Sequence, residues 1–174
     1  FFPAQSFGMA LTTFVGQNIG AGKMHRVKEG LRATMLMSVL CGIGAMVLVL
    51  TCGPNMMHLF SQEAAVVEAG MDYLRPVMYC YLLFAIMNTV LSVLRGAGDM
   101  VFPMITSLLS LWIIRLPMAY LFSYWFGKEY IFFSYGGGWL IGMTMAIIYY
   151  FTGRWKKKAV VSKQSEEGLQ EKYE

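Results

Sequence analysis

The sequence predicts an all-α fold: a polytopic membrane bundle of five transmembrane helices. Three observations support this fold class. Of the 174 residues, 57% are hydrophobic and 14% are charged, whereas soluble domains average about 45–50% apolar and about 25% charged residues. Long charge-poor runs recur, each near the roughly 20 residues that cross a bilayer. Basic residues cluster between these runs, which is the pattern that sets membrane topology.

Five charge-poor runs give the predicted helices in chain order. They are residues 1–18, 33–53, 73–94, 101–126 and 131–153. Residues 33–53 extend about 31 Å at about 1.5 Å per residue, which is one hydrocarbon thickness. The first run is marginal in length, and the fourth contains a charge well inside the span, Arg115. No alternating ten-residue segments recur, and a backbone in lipid must bond internally, so helices are the expected spanning structure.

The charges of the connecting segments predict the orientation. Basic residues dominate the connection after the first run and the segment 154–158 after the fifth, whereas the connection after the second run is acidic. Positive loops stay inside, so we expect a multi-pass plasma-membrane protein with a cytoplasmic C-terminus. We expect residues 1–158 to form the bundle and the polar residues 159–174 to form a disordered cytoplasmic tail. The chain opens without an initiator methionine, and we expect it to be part of a longer protein.

Composition and motifs argue against several functional classes. The net charge of +4 is spread over short clusters between apolar runs, unlike the concentrated basic face of a nucleic-acid binder, so we expect no nucleic-acid partner. No GxSxG, HExxH or P-loop pattern is present, so we expect no catalytic residues and no enzyme. Cys41, Cys52 and Cys80 lack CxxC spacing, and we expect neither a metal site nor a cofactor.

Polar residues inside the apolar runs are the candidate pathway residues, since lipid-facing surfaces need none. They are Gln5, Tyr81, Asn88 and Arg115. Gln5 belongs to a stripe of small and polar residues on the first helix and is larger than packing requires. Asn88 either lines a cavity with Tyr81 or hydrogen-bonds a neighbouring helix. Arg115 must snorkel, pair with a carbonyl freed by Pro117, or face a polar cavity, because an isolated central charge costs at least about 2.5 kcal/mol.

Small residues at four-residue spacing mark predicted helix contacts. Ser38 and Gly42 have this spacing on the second helix, and Gly138 and Gly142 form a GxxxG pair on the fifth. Such residues let membrane helices approach closely. We therefore expect these two stripes to serve packing.

Four motifs occur in order, each at the end of a predicted helix or inside one. They are Gly16-Gln17-Asn18-Ile19-Gly20-Ala21-Gly22, Leu94-Arg95-Gly96-Ala97-Gly98-Asp99, Trp112-Ile113-Ile114-Arg115-Leu116-Pro117 and Gly153-Arg154-Trp155-Lys156. Together they resemble the multidrug and toxic compound extrusion (MATE) family of secondary transporters over about residues 4–158. The resemblance implies twelve helices in two six-helix lobes. This chain would supply helices eight to twelve, most of the C-terminal lobe.

The first two motifs also have a physical interpretation as parts of a gate. Their glycines permit tight turns from helix to loop. Gln17 and Asn18 could bond carbonyls exposed at the end of the first helix, while Arg95 and Asp99 bracket a turn that could lock two helix ends together. We predict gate or structural roles, not substrate contact, for these four residues.

The resemblance implies an antiporter that exports drug-like or organic cationic compounds in exchange for Na⁺ or H⁺ by alternating access. Its partners would be the lipid bilayer, an N-terminal lobe of the same chain and small amphipathic or cationic substrates. Some branches of the family place a coupling carboxylate midway along the tenth helix, but residues 79–88 contain no Asp or Glu. We therefore expect the coupling ion, Na⁺ or H⁺, to bind outside this chain.

Two alternatives remain open on the sequence. A flippase of lipid-linked oligosaccharides from the same superfamily would be favoured by a long cationic cleft, for which the spans offer only Arg115. A membrane assembly subunit that does not transport would be favoured by helix faces that are wholly dry and tightly packed.

Overall fold

Five helical rods joined by short turns make up the structure, a computed structural model that describes residues 1–159 apart from the side chains at positions 128 and 129. The rods are α1 (Phe2–Gly20), α2 (Met24–His58), α3 (Ala64–Gly96), α4 (Val101–Phe126) and α5 (Ser134–Thr152). A 3₁₀ segment, Lys128–Phe133, precedes α5, and residues 154–159 form a short helix after it. Within the described residues there is no β-strand. The predicted all-α membrane bundle is confirmed.

The number of clear membrane spans differs slightly from the prediction. The rods α2 to α5 are long and apolar enough to cross a membrane. α1 has 19 residues, but it is not among the helices with a stretch apolar enough to cross a membrane, and it carries polar side chains such as Gln5, Thr12 and Gln17. Its role as a fifth span stays a prediction, and so does the tail, since residues 160–174 lie outside the described part of the chain.

The helices α2 and α3 begin earlier than the apolar runs, at Met24 and Ala64 instead of residues 33 and 73. Charged residues end a membrane span without ending a helix, because they lie where the chain leaves the hydrocarbon. For α2 and α3, hydropathy therefore marks the membrane-embedded part of the helix and underestimates its length.

α3 is the central helix of the bundle. It packs against α1, α2 and α5, and 61% of its most apolar stretch is buried, against 11% for α2. One buried core joins Leu91 and Leu94 of α3 to Val15 of α1, Val27 of α2 and Ala146 of α5. α3 is thus surrounded by protein, whereas the described residues leave most of the apolar surface of α2 uncovered.

Small residues hold the helices close together, as predicted. A Cβ added at Gly42 of α2 would lie 3.0 Å from Leu82, and one added at Gly142 of α5 would lie 2.6 Å from the sulfur of Met87. Ser38 of α2 is buried, and its hydroxyl oxygen lies 3.4 Å from that of Thr89 on α3. The packing role of both small-residue stripes is confirmed.

Both basic segments lie at one end of the bundle, which we call the Asp99 end. α1, α3 and α5 finish at this end, and α2 and α4 begin there. Lys158 contacts Asp99 in the turn between α3 and α4, so residues 154–158 lie at the same end as the basic start of α2. This is the arrangement that the predicted orientation requires.

The turns after α1 and α3 share one geometry at the Asp99 end. Each follows a Gly-Ala-Gly sequence whose last glycine, Gly22 or Gly98, has a φ of 71° or 82°. Glycine adopts this left-handed conformation without a steric penalty. After α3, the N–H of Asp99 then donates to the carbonyl of Leu94 at 3.0 Å, which closes the helix end and positions the Asp99 side chain.

Candidate functional site

A polar groove runs between α1 and α4, with α3 as its floor. Its volume is about 550 Å³. The polar residues that line it are Gln5, Thr12, Thr13, Asn88, Ser92, Arg95 and Ser107. Apolar wall is supplied by Met9, Phe84 and Met87, among others. A solute in this groove would meet hydrogen-bonding groups and adaptable apolar side chains at the same time.

Asn88 lies at the floor of the groove and uses both ends of its amide. Its Nδ2 donates to the carbonyl oxygen of Ala4 at 2.9 Å, and its Oδ1 accepts from Nη1 of Arg95 at 3.4 Å. Gly8 makes room for this contact, since an added Cβ there would lie 2.6 Å from Nδ2. Asn88 therefore does both things that the sequence left open: it bonds a neighbouring helix and it lines a cavity.

The polar face of α1 meets the groove from the other side. The hydroxyl oxygen of Thr12 lies 2.9 Å from the carbonyl oxygen of Gly8 and 3.2 Å from that of Ser92 on α3. Gln5, one turn before Gly8, is exposed and lines the groove. The stripe of small and polar residues on α1 therefore faces α3, and Gln5 is the exposed polar residue at its beginning.

A second cavity, of about 250 Å³, adjoins the groove. Phe84, Met87 and Ser107 line both spaces. Arg115 lines the second one, and its guanidinium carbon lies 3.4 Å from the centre of the Tyr135 ring. Such a cation–π contact contributes about 0.5–2 kcal/mol. Arg115 thus has a partner, an aromatic ring in place of the expected carbonyl, and the cavity that it lines is mostly apolar.

A π-helical turn, Leu109–Ile114, directly precedes Arg115 in α4. Such turns are rare and occur frequently at functional sites. Inside it, the hydroxyl of Ser110 donates to the carbonyl oxygen of Gly138 on α5 at 2.6 Å. Pro117 follows and has no amide hydrogen, which favours a break in the regular α-helical ladder here. The turn fastens α4 to α5 immediately before Arg115.

Tyr81 reaches neither cavity. Its side chain is 4% exposed and packs edge-on against Phe1, with 5.5 Å between ring centres. Of the four pathway candidates, the structure therefore brings Gln5 and Asn88 together in the groove and places Arg115 in the adjoining cavity.

Asp99 joins three segments at the Asp99 end. Its side chain is fully buried; Oδ1 accepts from Nζ of Lys158 at 2.7 Å, and Oδ2 accepts from the hydroxyl of Tyr149 at 2.6 Å. The Phe102 backbone N–H donates to Oδ1 at 3.4 Å, and the Phe102 ring stacks on Tyr149 with 3.7 Å between centres. This contact set is called the Asp99 clamp below.

The Asp99 clamp shifts the pKa of both charged partners. Burial works to raise the pKa of the Asp99 carboxyl, but the hydrogen bonds from Lys158, Tyr149 and the Phe102 backbone outweigh it and lower that pKa below its ordinary value. The hydrogen bond to Asp99 raises the pKa of Lys158. Asp99 is therefore a carboxylate and Lys158 an ammonium at neutral pH.

The charged residues of the second motif differ in what they contact. Asp99 links helix ends, as predicted, whereas Arg95 is half-buried and reaches back along α3 to line the groove. Asn18 donates from Nδ2 to the carbonyl of Phe14 at 2.8 Å, four residues back in the same helix and not at its end, and Gln17 is exposed. The gate roles of these residues stay predictions.

The charge of the two cavities is one-sided. Each is lined by an arginine, and neither is lined by a carboxylate from the described part of the chain. Residues 1–159 also contain no group of three His, Cys, Asp or Glu side chains placed to hold a metal ion.

Sequence reasoning did not identify Tyr149 and Lys158 as clamp residues. They lie 50 and 59 positions beyond Asp99, so no local spacing connects them to it. The sequence could have indicated Ser107, which shares a helix face with Ser110, and Phe84, which shares one with Asn88. Only the packing of α4 on α3 places both residues at one groove.

The MatE family model matches residues 1–121, which include α1, α2, α3 and most of α4. The chain belongs to the MATE family. It is 31% identical over 154 residues to the probable multidrug resistance protein YpnP of Bacillus subtilis, covering 88% of this chain and 35% of that protein. It is 26% identical over 172 residues to the probable multidrug resistance protein NorM of Thermotoga maritima, covering 94% and 36%.

A more distant relative is the human multidrug and toxin extrusion protein 1, 24% identical over 113 residues, which are 65% of this chain and 20% of that protein. The chain spans about a third of the length of YpnP and of the Thermotoga NorM. No solved structure matches it significantly. The MATE resemblance read from the four motifs is confirmed, and the family together with the apolar helices makes this a multi-pass membrane chain.

Proposed function

We propose that this MATE chain is the C-terminal lobe of an antiporter that exports drug-like amphipathic compounds, including organic cations, in exchange for Na⁺ or H⁺ by alternating access. Its relatives are named for multidrug resistance and toxin extrusion. The observation that carries the proposal is the polar groove on α1, α3 and α4. Helices that face only lipid or each other need no such groove, so we take it as one wall of a solute pathway.

The groove suits varied amphipathic compounds. Gln5 offers an exposed amide and Asn88 the second N–H and second oxygen lone pair that its own contacts leave over, while Met9 and Met87 provide flexible, polarisable contact with apolar groups of different shape. Because Arg95 and Arg115 repel cations, this lobe would bind the neutral or anionic parts of a substrate. The groups that meet a positive charge, and the coupling ion, would then belong to an N-terminal lobe of the same protein.

We further propose that the Asp99 end faces the cytoplasm of a plasma membrane. The basic first turns of α2 and the basic residues 154–158 both lie at this end, and basic segments stay on the cytoplasmic side of a membrane. The Asp99 clamp would hold α3, α4 and α5 together at that end while the groove opens and closes.

One observation favours a second candidate, the flippase of lipid-linked oligosaccharides. Arg95 joins Arg115, so that two cations line the connected cavities where the sequence offered one, and a cationic pathway suits a diphosphate-linked sugar. The non-transporting subunit gains no such support, because helix faces that line a polar groove are not dry.

Substituting Asn88 tests the antiporter proposal. Asn88→Ala in the full-length protein, expressed in cells without their own efflux pumps, should change resistance to some members of a dye and drug panel by roughly two- to tenfold. That range corresponds to one hydrogen bond of about 0.5–1.5 kcal/mol. Minimum inhibitory concentrations and dye accumulation are the measurements.

Asn55 supplies the matched control, since it is exposed on α2 and lies in neither cavity. Asn55→Ala should leave the resistance profile unchanged at equal amounts of membrane-inserted protein. If Asn88→Ala also leaves every compound unchanged at normal protein levels, the groove is not the substrate pathway. If cells instead accumulate lipid-linked sugar on the inner leaflet, the flippase assignment replaces the antiporter.

A further inference from the structure

A third cavity lies away from the groove, at the Asp99 end, between the first turns of α2 and residues 154–159. Its volume is about 580 Å³. The residues that line it are Met24, His25, Lys28, Glu29, Arg32, Trp155 and Lys156. Three basic side chains, Lys28, Arg32 and Lys156, and one acidic side chain, Glu29, therefore line a space large enough for a phosphate group and its substituents. We call it the basic pocket.

The segments that carry the basic pocket are firmly packed. Trp155, which lines the pocket, is 2% exposed, and Val27, which precedes Lys28, has no exposed surface; both belong to the main buried core. The indole N–H of Trp155 donates to the carbonyl of Tyr150 at 3.0 Å, and the two rings stack with 5.5 Å between centres. The start of α2 and the short C-terminal helix are thus held in place, which fixes the positions from which the cations extend.

An apolar stripe continues from the basic pocket along α2. Lys28, Arg32, Leu36 and Leu40 follow one another at four-residue spacing and so share one helix face. Leu36 is 61% exposed and Leu40 is 59% exposed. The stripe starts at the cations, where the apolar run of α2 begins, and continues along the exposed surface of the apolar part of this helix. Free phosphate would use only the cations, whereas a phospholipid would use both parts.

We propose that the basic pocket binds the phosphate headgroup of an anionic phospholipid, whose acyl chain lies along Leu36 and Leu40. Lys28, Arg32 and Lys156 supply the charge, and basic pockets at the membrane surface are suited to such headgroups. A zwitterionic lipid would bind more weakly because its ammonium group faces the same cations. The site is separate from the groove, so this proposal does not depend on what the protein exports.

Lipid retention in native mass spectrometry tests the proposal on the full-length protein. Purified protein is titrated with phosphatidylglycerol or phosphatidylcholine, and the double variant Lys28→Gln/Arg32→Gln is compared with the parent. We expect the parent to prefer phosphatidylglycerol and the variant to bind it roughly thirty-fold more weakly, from about 1 kcal/mol per basic residue. Equal binding of the two lipids by the parent would overturn the proposal.

The matched control removes the same charge outside the basic pocket. Arg26 and Lys157 are exposed and do not line it, so Arg26→Gln/Lys157→Gln should keep most of the phosphatidylglycerol binding. An equal loss in both double variants would show diffuse surface attraction and overturn the site. Lys28→Arg/Arg32→Lys keeps the charge and should bind like the parent, which separates loss of charge from loss of fold.

Two further measurements identify the occupant. Inorganic phosphate and glycerol 3-phosphate should fail to displace phosphatidylglycerol at equal concentration, and Leu36→Ser/Leu40→Ser should weaken lipid binding without changing the binding of inorganic phosphate. Equally tight binding of inorganic phosphate would overturn the lipid as ligand. Removal of residues 160–174, which include four glutamates, should leave lipid binding unchanged; if lipid binds only after removal, that segment occupies the pocket instead.

Discussion

α2 and α3 are the two longest helices, with 35 and 33 residues, and they occupy opposite environments. α3 has α1, α2 and α5 around it and is mostly buried, whereas α2 contacts α1 and α3 and leaves 89% of its most apolar stretch at least partly exposed. Both are apolar enough to span a membrane. Hydropathy therefore does not reveal which of two membrane helices is central.

Buried polar side chains are more numerous on α3 than on α2. On α3, Thr89 and Ser92 are fully buried and each donates to a carbonyl of its own helix, at 2.8 Å and 2.7 Å. On α2, Thr51 makes the same kind of bond at 2.7 Å but is exposed. A helix whose polar side chains are satisfied by its own carbonyls can be enclosed by protein on several sides.

The largest expected effect is the difference between two substitutions, one at a glycine of α3 and one at a glycine of α2. A Cβ at Gly96 would lie 2.5 Å from the carbonyl oxygen of Thr12, whereas a Cβ at Gly44 would meet no atom within 4 Å. Gly96→Leu should lower the free energy of unfolding by about 3 kcal/mol or more, because backbone of α1 would have to move. Gly44→Leu should change it by less than about 0.5 kcal/mol. Thermal unfolding in detergent measures both, and equal effects would contradict a central α3.

An intermediate effect is expected where α3 ends. Asp99→Asn removes a buried carboxylate from two side-chain donors, Lys158 and Tyr149, and should lower the free energy of unfolding by about 1.5–3 kcal/mol at neutral pH. Asp72→Asn, on an exposed position of α3, should have little effect. Equal unfolding temperatures for the two variants would contradict the greater contribution of the buried Asp99 to stability.

The pH dependence of the Asp99 clamp follows from its two pKa shifts. The pKa of Asp99 is lowered in the folded state, so its contribution is present above its ordinary value of 3.8 and is lost as the pH falls below that value. The pKa of Lys158 is raised, so its contribution is complete below 10.5 and is lost at higher pH. The difference between parent and Asp99→Asn should stay constant between these limits and shrink in acid; a difference that grows in acid would contradict the assignment.

The smallest expected effect compares two threonines. Thr89→Val on α3 removes a hydroxyl that has no exposure and lies near Ser38, and should lower the free energy of unfolding by about 0.6 kcal/mol. Thr51→Val on α2 removes an exposed hydroxyl bonded only to its own helix and to the neighbouring Cys52, and should have no measurable effect. Denaturation of the two variants under one set of conditions resolves the difference. A larger loss of unfolding free energy for Thr51→Val than for Thr89→Val would contradict the greater burial of α3.

The sequence by itself determined the helical rods, their order and the end at which the basic segments gather. These properties depend on local hydropathy and charge, because each segment inserts and orients in the bilayer according to its own apolar length and its flanking basic residues. It also determined the family, because each of the four motifs is a short contiguous stretch that can be recognised without knowing which residues it contacts in the fold. The stripes at Gly42 and Gly142 were equally accessible, since four-residue spacing on a helix is a local property.

Only the tertiary structure decided what the polar residues contact. Arg95 and Asp99 stand four positions apart, yet one turns back to Asn88 in the groove and the other bonds Lys158, 59 residues away. Tyr81 and Asn88 both looked suited to a pathway, but α1 and the Phe1 ring cover the first and leave the second in the groove. Such outcomes depend on which helices pack side by side and at what separation, and that is set by many weak contacts acting together, not by any one segment.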